Sequence, residues 1–192
     1  MKSKVHKTAE VHVDAHIGNN TVIWNYAQIE SCKIGAGCTI GKGVYVGPNV
    51  EIGDNCKIQN NCSIYEGVSL ESGVFVGPHV VFTNDKTPRA INFDGTKKTS
   101  TDWKLEKTLV CEGASLGAGV IVLGGVRIGK FALIGAGTVV TKNVLDHALI
   151  LGVPGTPRGY VCKCGLSLKN GSSCSVCFVS LGKNGRIALQ ND

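Results

Sequence analysis

The sequence predicts an all-β protein of short extended segments, with a chain corner every six residues. Three observations carry that expectation. An aliphatic residue recurs at every sixth position along most of the chain. A small or β-branched residue follows it four positions later, and 26 glycines stand against 5 prolines and one methionine in 192 residues. Two inward positions in six do not match an amphipathic helix, whose apolar stripe recurs every 3.6 residues. Glycine-rich corners between short strands do match, because glycine adopts backbone angles that other residues avoid.

The rhythm starts at Val11, Ile17, Ile23 and Ile29, slips by one residue, and runs through Ile34, Ile40, Val46, Ile52, Ile58, Ile64, Leu70, Val76 and Phe82. It stops, then resumes at Val110, Leu116, Val122, Ile128, Ile134 and Val140, giving nineteen hexads. The small slots hold residues such as Val44, Val50, Ala114, Ala132 and Val144; Cys38, Cys56 and Cys62 fill the same slot and read as small buried hydrophobes without chemistry. The repeat domain is bounded at residues 1–145, with 83–109 inserted, and 146–192 form a C-terminal extension. The insert is polar, carries Pro88 and Gly95, and is too long for a corner. Long loops in compact domains usually serve function.

The formal charge of +6 is modest, and the Lys and Arg residues are scattered rather than gathered into a basic patch with interleaved aromatics. Nucleic-acid binding is therefore not expected, and a small anionic ligand suits the chain better. No run of about 18 apolar residues exists and no apolar core follows the basic residues of MKSKVHKTAE, so neither a membrane span nor a secretory leader is expected and the protein reads as cytoplasmic. Nine cysteines, an odd number with four crowded near the end, argue against a secreted disulfide scaffold.

The hexads resemble those of the hexapeptide-repeat acyltransferases over roughly residues 11 to 144. That resemblance implies a left-handed parallel β-helix, three hexads per coil, and hence about six coils and a prism about 30 Å tall at the inter-strand spacing. It also implies a homotrimer with active sites between subunits. The run LGAGVIVLGGVRIGKFALIGAGTVVTKNV, with HALILGVPGTPR after it, resembles the groove in which the family holds acetyl-CoA. Ala118 and Ala136, in the two GAG corners, are the expected contacts for the pantetheine arm, and Lys142 and Arg158 the expected cations for its phosphates.

The segment VGPHVVFTNDKTPRA, with a VCxCG element after the repeats, is similar to the UDP-2-acetamido-3-amino-2,3-dideoxy-glucuronate N-acetyltransferases that serve surface-polysaccharide (O-antigen) synthesis. The resemblance implies a nucleotide-linked amino sugar as partner and N-acetylation as the reaction. An amine with a pKa of about 8 needs only about 1 to 1.5 kcal/mol to be neutral at pH 7, so a base is less necessary than for a hydroxyl. Asn84 is accordingly assigned to orient the amine, and His79 is the competing candidate as general base. Arg89 is expected to fork onto the sugar carboxylate or the diphosphate, with Glu66 and Tyr65 as further sugar contacts. Trp24 and Tyr26, at an early corner, either stack on the nucleotide base or cover the first coil.

The tail carries Cys162, Cys164, Cys174 and Cys177 as C-x-C and C-x-x-C, with Gly165 and Gly171 between. This resembles half of a zinc ribbon with its first knuckle one residue short, and Phe178 replaces a second-knuckle glycine. A structural zinc, reduced thiols and a local disulfide all remain open. Other functions of the same fold were weighed: a dTDP-3-amino-3,6-dideoxyhexose N-acetyltransferase, a γ-type carbonic anhydrase, and a non-catalytic scaffold. The carbonic anhydrase needs three zinc-binding histidines from neighbouring coils, and the central coils offer one.

Overall fold

The computed structural model describes residues 2–168, 173–177, 179–181 and 187–189. Gly171 and Phe178 lie outside the described residues. Each hexad forms a two-residue strand, and its second residue points inward: Thr39–Ile40, Tyr45–Val46 and Glu51–Ile52 have Ile40 and Val46 wholly buried and Ile52 nearly so. The strands stack in parallel into three faces, and the chain is a left-handed parallel β-helix. The first face runs from Lys4–Val5 up to Ala148–Leu151, the second from Glu10–Val11 to Val139–Val140, and the third from His16–Ile17 to Arg127–Ile128.

One full turn is eighteen residues in the middle of the stack: Lys57 pairs with Thr39 below and Phe75 above. Every corner must therefore turn the chain through the same angle. Its third residue does so with positive φ, at Gly37, Gly43, Asn49, Asn55, Asn61, Gly67, Gly73 and His79 in succession. Glycine and asparagine tolerate that conformation, and a residue with a larger side chain pays of order 1 kcal/mol. The inward slot before each strand stays small because the corner leaves little room. Cys38, Cys56 and Cys62 fill it, each 1% exposed, with S–H groups directed at corner carbonyls such as Gly53 and Gly77. Thr21 fills it with a hydroxyl that donates to the Gly35 carbonyl at 2.7 Å and accepts the Cys38 amide at 3.0 Å.

The register departs from eighteen at three places. The corner after Ile29 is one residue short, so that Ile17 pairs with Ile34. The excursion places Val68 opposite Thr108. In the last turn Ile134 pairs with Ile150 and Ile128 bridges Val144, each sixteen residues on, because the Thr141–Asn143 corner is two residues short.

These departures correct the coil count. Seven turns and the first side of an eighth are present, not about six, because Val5 begins the stack, Val144 occupies a strand position rather than a corner slot, and Ala148–Leu151 adds a parallel strand. Parallel pairing thus passes the expected boundary at residue 145 and ends at Ile150. The insert is shorter than 83–109, since Thr108 and Leu109 already pair with the coil below.

Beyond Leu151 the chain reverses. Thr156–Val161 pairs antiparallel with Ala148–Leu151, and Ser167–Leu168 pairs antiparallel with Thr156–Val161. Val179–Leu181 and Ile187–Leu189 form a separate antiparallel pair. The excursion has its own order: Ile91 bridges Lys97 around Asp94 and Gly95, and the Asp94 carboxylate accepts from the Thr96 amide at 3.0 Å. The Thr96 hydroxyl, which donates to the same oxygen at 2.6 Å, and then that amide hold the Asp94 carboxyl below its ordinary pKa.

Phe82 is fully buried at the last strand before the excursion. Phe82→Ala is expected to lower stability by about 3–5 kcal/mol in chemical denaturation, through lost apolar burial and the cavity left behind.

Candidate active site

A hexad step moves the chain one face around the prism, so residues three hexads apart share an edge and residues one hexad apart do not. The corners between the first and second faces stack Lys42, Asn60, Pro78, Ala118 and Ala136. The corners between the second and third faces stack Pro48, Glu66, Asn84, Gly124 and Lys142. Sequence reasoning gathered these candidates into one site; within one chain the structure divides them between two edges.

On the first edge, Gly119 donates to the Pro78 carbonyl at 2.8 Å and Gly137 to the Ala118 carbonyl at 2.8 Å, so the corners lie directly over one another. A Cβ at Gly77 would meet the Ala118 amide nitrogen at 2.7 Å, and one at Gly117 the Ala136 nitrogen at 2.5 Å. The two alanines are exposed, and their own N–H groups make no hydrogen bond among the described residues. Three coils below Ala118, the equivalent Lys42 amide is taken by Asn60 Oδ1 at 2.9 Å. Above Ala118 the equivalent residue is Ala136, whose methyl offers no such partner. The result is a short row of outward amides suited to carbonyl acceptors.

His79 stands on this edge below Ala118. Its backbone is left-handed at φ 60, its amide donates to the Asn60 carbonyl at 3.0 Å, and its exposed ring makes no hydrogen bond among the described residues. Phe131 and His147 share the same backbone conformation elsewhere, but their rings stack on each other at 5.3 Å. Lower on the edge, Trp24, 49% exposed, borders a concavity of 430 Å³ with Lys42, Lys57, Gln59 and Asn60. Tyr26 is exposed beside it.

On the second edge, Asn84 leads into the excursion. Its Nδ2 donates to the Glu66 carbonyl at 3.1 Å, and since a carbonyl only accepts, this fixes the amide with Oδ1 as the remaining acceptor. The Asn84 carbonyl accepts the Glu106 amide at 3.0 Å, which closes the base of the excursion. Gly124 forms the roof: a Cβ there would lie 2.9 Å from Glu106 Cβ and 3.2 Å from Asn84 Cα. Glu66 receives Asn49 Nδ2 at 2.9 Å, and Tyr65, half exposed, packs on Tyr45 with ring centroids 5.5 Å apart.

Other expected residues sit apart from both clusters. Arg89 is exposed and donates to its neighbour's carbonyl, Pro88, at 2.8 Å. Lys142 lies in the shortened last corner of the second edge, while Arg158 lies on Thr156–Val161 against the first face. The two cations are therefore not neighbours in one chain. A surface depression of 1080 Å³ on the third face, lined from His16 to Leu109, contains none of the expected site residues.

Sequence reasoning missed Glu106 and Lys86, which are paired at 2.9 Å beneath Gly125. Lys86, and Lys104 at 3.6 Å, hold the Glu106 carboxyl below its ordinary pKa. The double glycine 124–125 was the available signal, because no other corner has two adjacent glycines. In the tail, the sulfurs of Cys162, Cys164, Cys174 and Cys177 all lie within 4.8 Å of one another. The Cys177 and Val176 amides donate to Cys174 Sγ, each at 3.4 Å, and hold its thiol below the ordinary range. This is the one cluster of metal-binding side chains among the described residues, so the three-histidine arrangement of a carbonic anhydrase is absent from them.

Residues 14–48, 31–64, 49–84 and 107–142 match the family described as bacterial transferase hexapeptide (six repeats). The chain belongs to this hexapeptide family. Among its relatives is the dTDP-3-amino-3,6-dideoxy-alpha-D-galactopyranose 3-N-acetyltransferase of Aneurinibacillus thermoaerophilus, 44% identical over 71 residues, 37% of each chain. The galactoside O-acetyltransferase of Lactococcus lactis is 44% identical over 85 residues, 42% of this chain and 40% of the other. The crystal structure of PerB from Caulobacter crescentus, in complex with CoA and GDP-perosamine, superposes with a TM-score of 0.53 at 21% identity, over 83% of this chain and 58% of that one. The matches to the two curated relatives thus span well under half of their length, and the structural likeness speaks for the hexapeptide fold alone. No helix among the described residues is long and apolar enough to cross a membrane.

The Glu106 ion pair makes the base of the excursion sensitive to acid. The folded pKa lies below the unfolded value of about 4.3, so the pair's contribution is complete above that value and is lost as pH falls through the folded one. Hydrogen exchange at Glu106 and in residues 84–90 is expected to quicken over that acid window beyond its intrinsic pH dependence, and Glu106→Gln is expected to remove the excess.

Proposed function

We propose that the chain is an acetyl-CoA-dependent N-acetyltransferase acting on the 3-amino group of UDP-linked 2-acetamido-3-amino-2,3-dideoxy-glucuronate, as a cytoplasmic homotrimer with its sites between subunits. The observation that carries this reading is Asn84: its Nδ2 is committed to the Glu66 carbonyl, leaving an amide oxygen as acceptor at the mouth of the excursion. An acceptor suits an amine, which has N–H bonds to give, and orienting those bonds aims the nitrogen lone pair at the thioester carbonyl. Attack forms the amide C–N bond and breaks the C–S bond, and the proton given up by the nitrogen ends on the departing thiolate, so that CoA leaves as its thiol. The outward amides of Ala118 and Ala136 suit the carbonyls of a pantetheine arm, and Arg158 and Lys142 suit its phosphates.

Division of the candidate residues between two edges supports the trimer. A groove between two prisms pairs the first edge of one copy with the second edge of its neighbour, uniting His79 and the alanine row with Asn84 and Glu66. In that arrangement Trp24 stacks on the nucleotide base, Lys42 and Lys57 face the diphosphate, and Arg89 meets the sugar carboxylate. The dTDP-amino-sugar relative favours a second reading, in which the acceptor is a dTDP-3-amino-3,6-dideoxyhexose and Arg89 has no carboxylate to meet.

Thiol release from acetyl-CoA, measured with UDP- and dTDP-linked 3-amino sugars with and without a C6 carboxylate, separates these readings. The expected result is turnover confined to the UDP uronate, with kcat lowered about 100-fold in Asn84→Ala and little changed in His79→Ala. Loss mainly in His79→Ala would transfer the central role to a base, and no release with any acceptor would overturn the reading.

A further inference from the structure

The C-terminal extension has almost no core of its own. Among the described residues its buried cluster is Cys162, Leu168 and Cys174, with Tyr160 and Cys177 packed against it. One leucine and part of a tyrosine ring bury too little apolar surface to hold a reversing chain, and chains this small depend on disulfides or metals. Three of the five cluster residues are cysteines, and the fourth cysteine, Cys164, is exposed at the rim with its sulfur 3.6 Å from that of Cys174.

The distances discriminate among the three states left open by the sequence. A disulfide requires sulfurs about 2.05 Å apart, whereas four thiolates at about 2.3 Å from a tetrahedral zinc lie about 3.8 Å from one another. Here the Cys164–Cys174 separation is 3.6 Å, no pair exceeds 4.8 Å, and all four are free thiols. Unpaired neutral thiols have no reason to converge from two segments ten residues apart in sequence. The backbone also favours thiolate, since the amides of Val176 and Cys177 both point at Cys174 Sγ, the turn in which backbone donors share the charge of a metal-bound sulfur. On the other knuckle, Gly165 donates to the Cys162 carbonyl at 2.9 Å and Cys162 to the Leu166 carbonyl at 2.8 Å, a tight loop that replaces the residue missing from C-x-C. Gly165 allows it with φ 89.

We propose that Cys162, Cys164, Cys174 and Cys177 bind one zinc ion tetrahedrally, and that the ion fastens the extension as a cap on the last coil of the β-helix. Four thiolates leave no open position, so the ion is structural. Its neighbours tie it to the prism. Val161 donates to the His147 carbonyl at 2.8 Å, His147 Nδ1 lies 3.1 Å from the Val161 carbonyl, and Lys163 Nζ lies 5.1 Å over the Phe131 ring that stacks on His147. Zinc at Cys162 therefore anchors the residues on either side of it, Val161 and Lys163, to the last corner between the third and first faces. It also clamps Thr156–Val161, the strand of Arg158, between Ala148–Leu151 and Ser167–Leu168. A solenoid needs an atypical terminal element to cover its last coil, and this one uses a metal in place of a core.

The test is metal analysis of the full chain purified without chelator. It is expected to give about one zinc per chain, reduced to background in Cys164→Ser and in Cys177→Ser. Should those variants fail to fold, wild-type protein exchanged with cobalt is expected to show the intense visible absorption of a tetrahedral thiolate site. Iron in place of zinc, no bound metal, a metal retained in both variants, or a disulfide among the four cysteines in freshly purified protein would each overturn the site. Hydrogen exchange then reads the cap: chelation is expected to raise exchange at least tenfold at Val161 and Cys162 and to leave Ser115–Leu116 unchanged. Equal protection with and without metal would overturn the capping role.

Discussion

The structure depends on one constraint: each inward aliphatic residue packs on its counterpart one coil above and one coil below. Ile40, Ile58 and Val76 form such a column, wholly buried, and Val46, Ile64 and Phe82 form the next. Burying one such side chain contributes about 1.5–3 kcal/mol, and a column repeats the contribution at every level. The requirement that levels coincide then dictates the corners: their angle, the left-handed third residue, and the small slot before each strand. Departures from the rhythm can survive only where a corner can absorb them.

The candidate site residues obey the same rule. His79 takes a position its neighbours give to Asn61 below and Gly119 above, so an imidazole at the rim is held in a conformation that costs it something. Asn84 keeps a corner position but turns its amide inward to the coil beneath, at the point where the chain leaves the prism. A rigid stack thus fixes the backbone on both edges, while side-chain placement on each edge differs only in the corner residue chosen. Pre-organisation of this kind leaves little to be ordered when a ligand arrives.

Much of this was legible in the sequence, and the failures have a physical pattern. Ile and Val at every sixth place identify the core because burial on a stacked column admits nothing polar, and Cys38, Cys56 and Cys62 were recognisable as occupants of the small inward slot before each strand. The coil count was not legible. Val144 follows Val140 by four residues and reads as a corner slot, yet the contracted corner around Lys142 makes it a strand residue. Ala136 and Lys142 look like neighbours along the chain, but a single hexad carries the chain to another edge. The Lys86–Glu106 pair joins the two ends of the excursion across twenty residues of irregular sequence, and no local pattern announces it. The four tail cysteines were visible by spacing, while their convergence required coordinates.

The excursion has twenty-two residues more than the corners that match it, yet Val68 and Leu70 meet Thr108 and Val110 as if nothing had intervened. Closing a loop becomes more expensive only logarithmically with its length, about 0.6 kcal/mol for each doubling. The prism is therefore nearly indifferent to how long the excursion is or what it contains, provided Asn84 and Glu106 still meet at its base. Sequence change in this segment is thus nearly uncoupled from the stability of the stack, so that whatever the excursion recognises can be altered without a matching change in the fold.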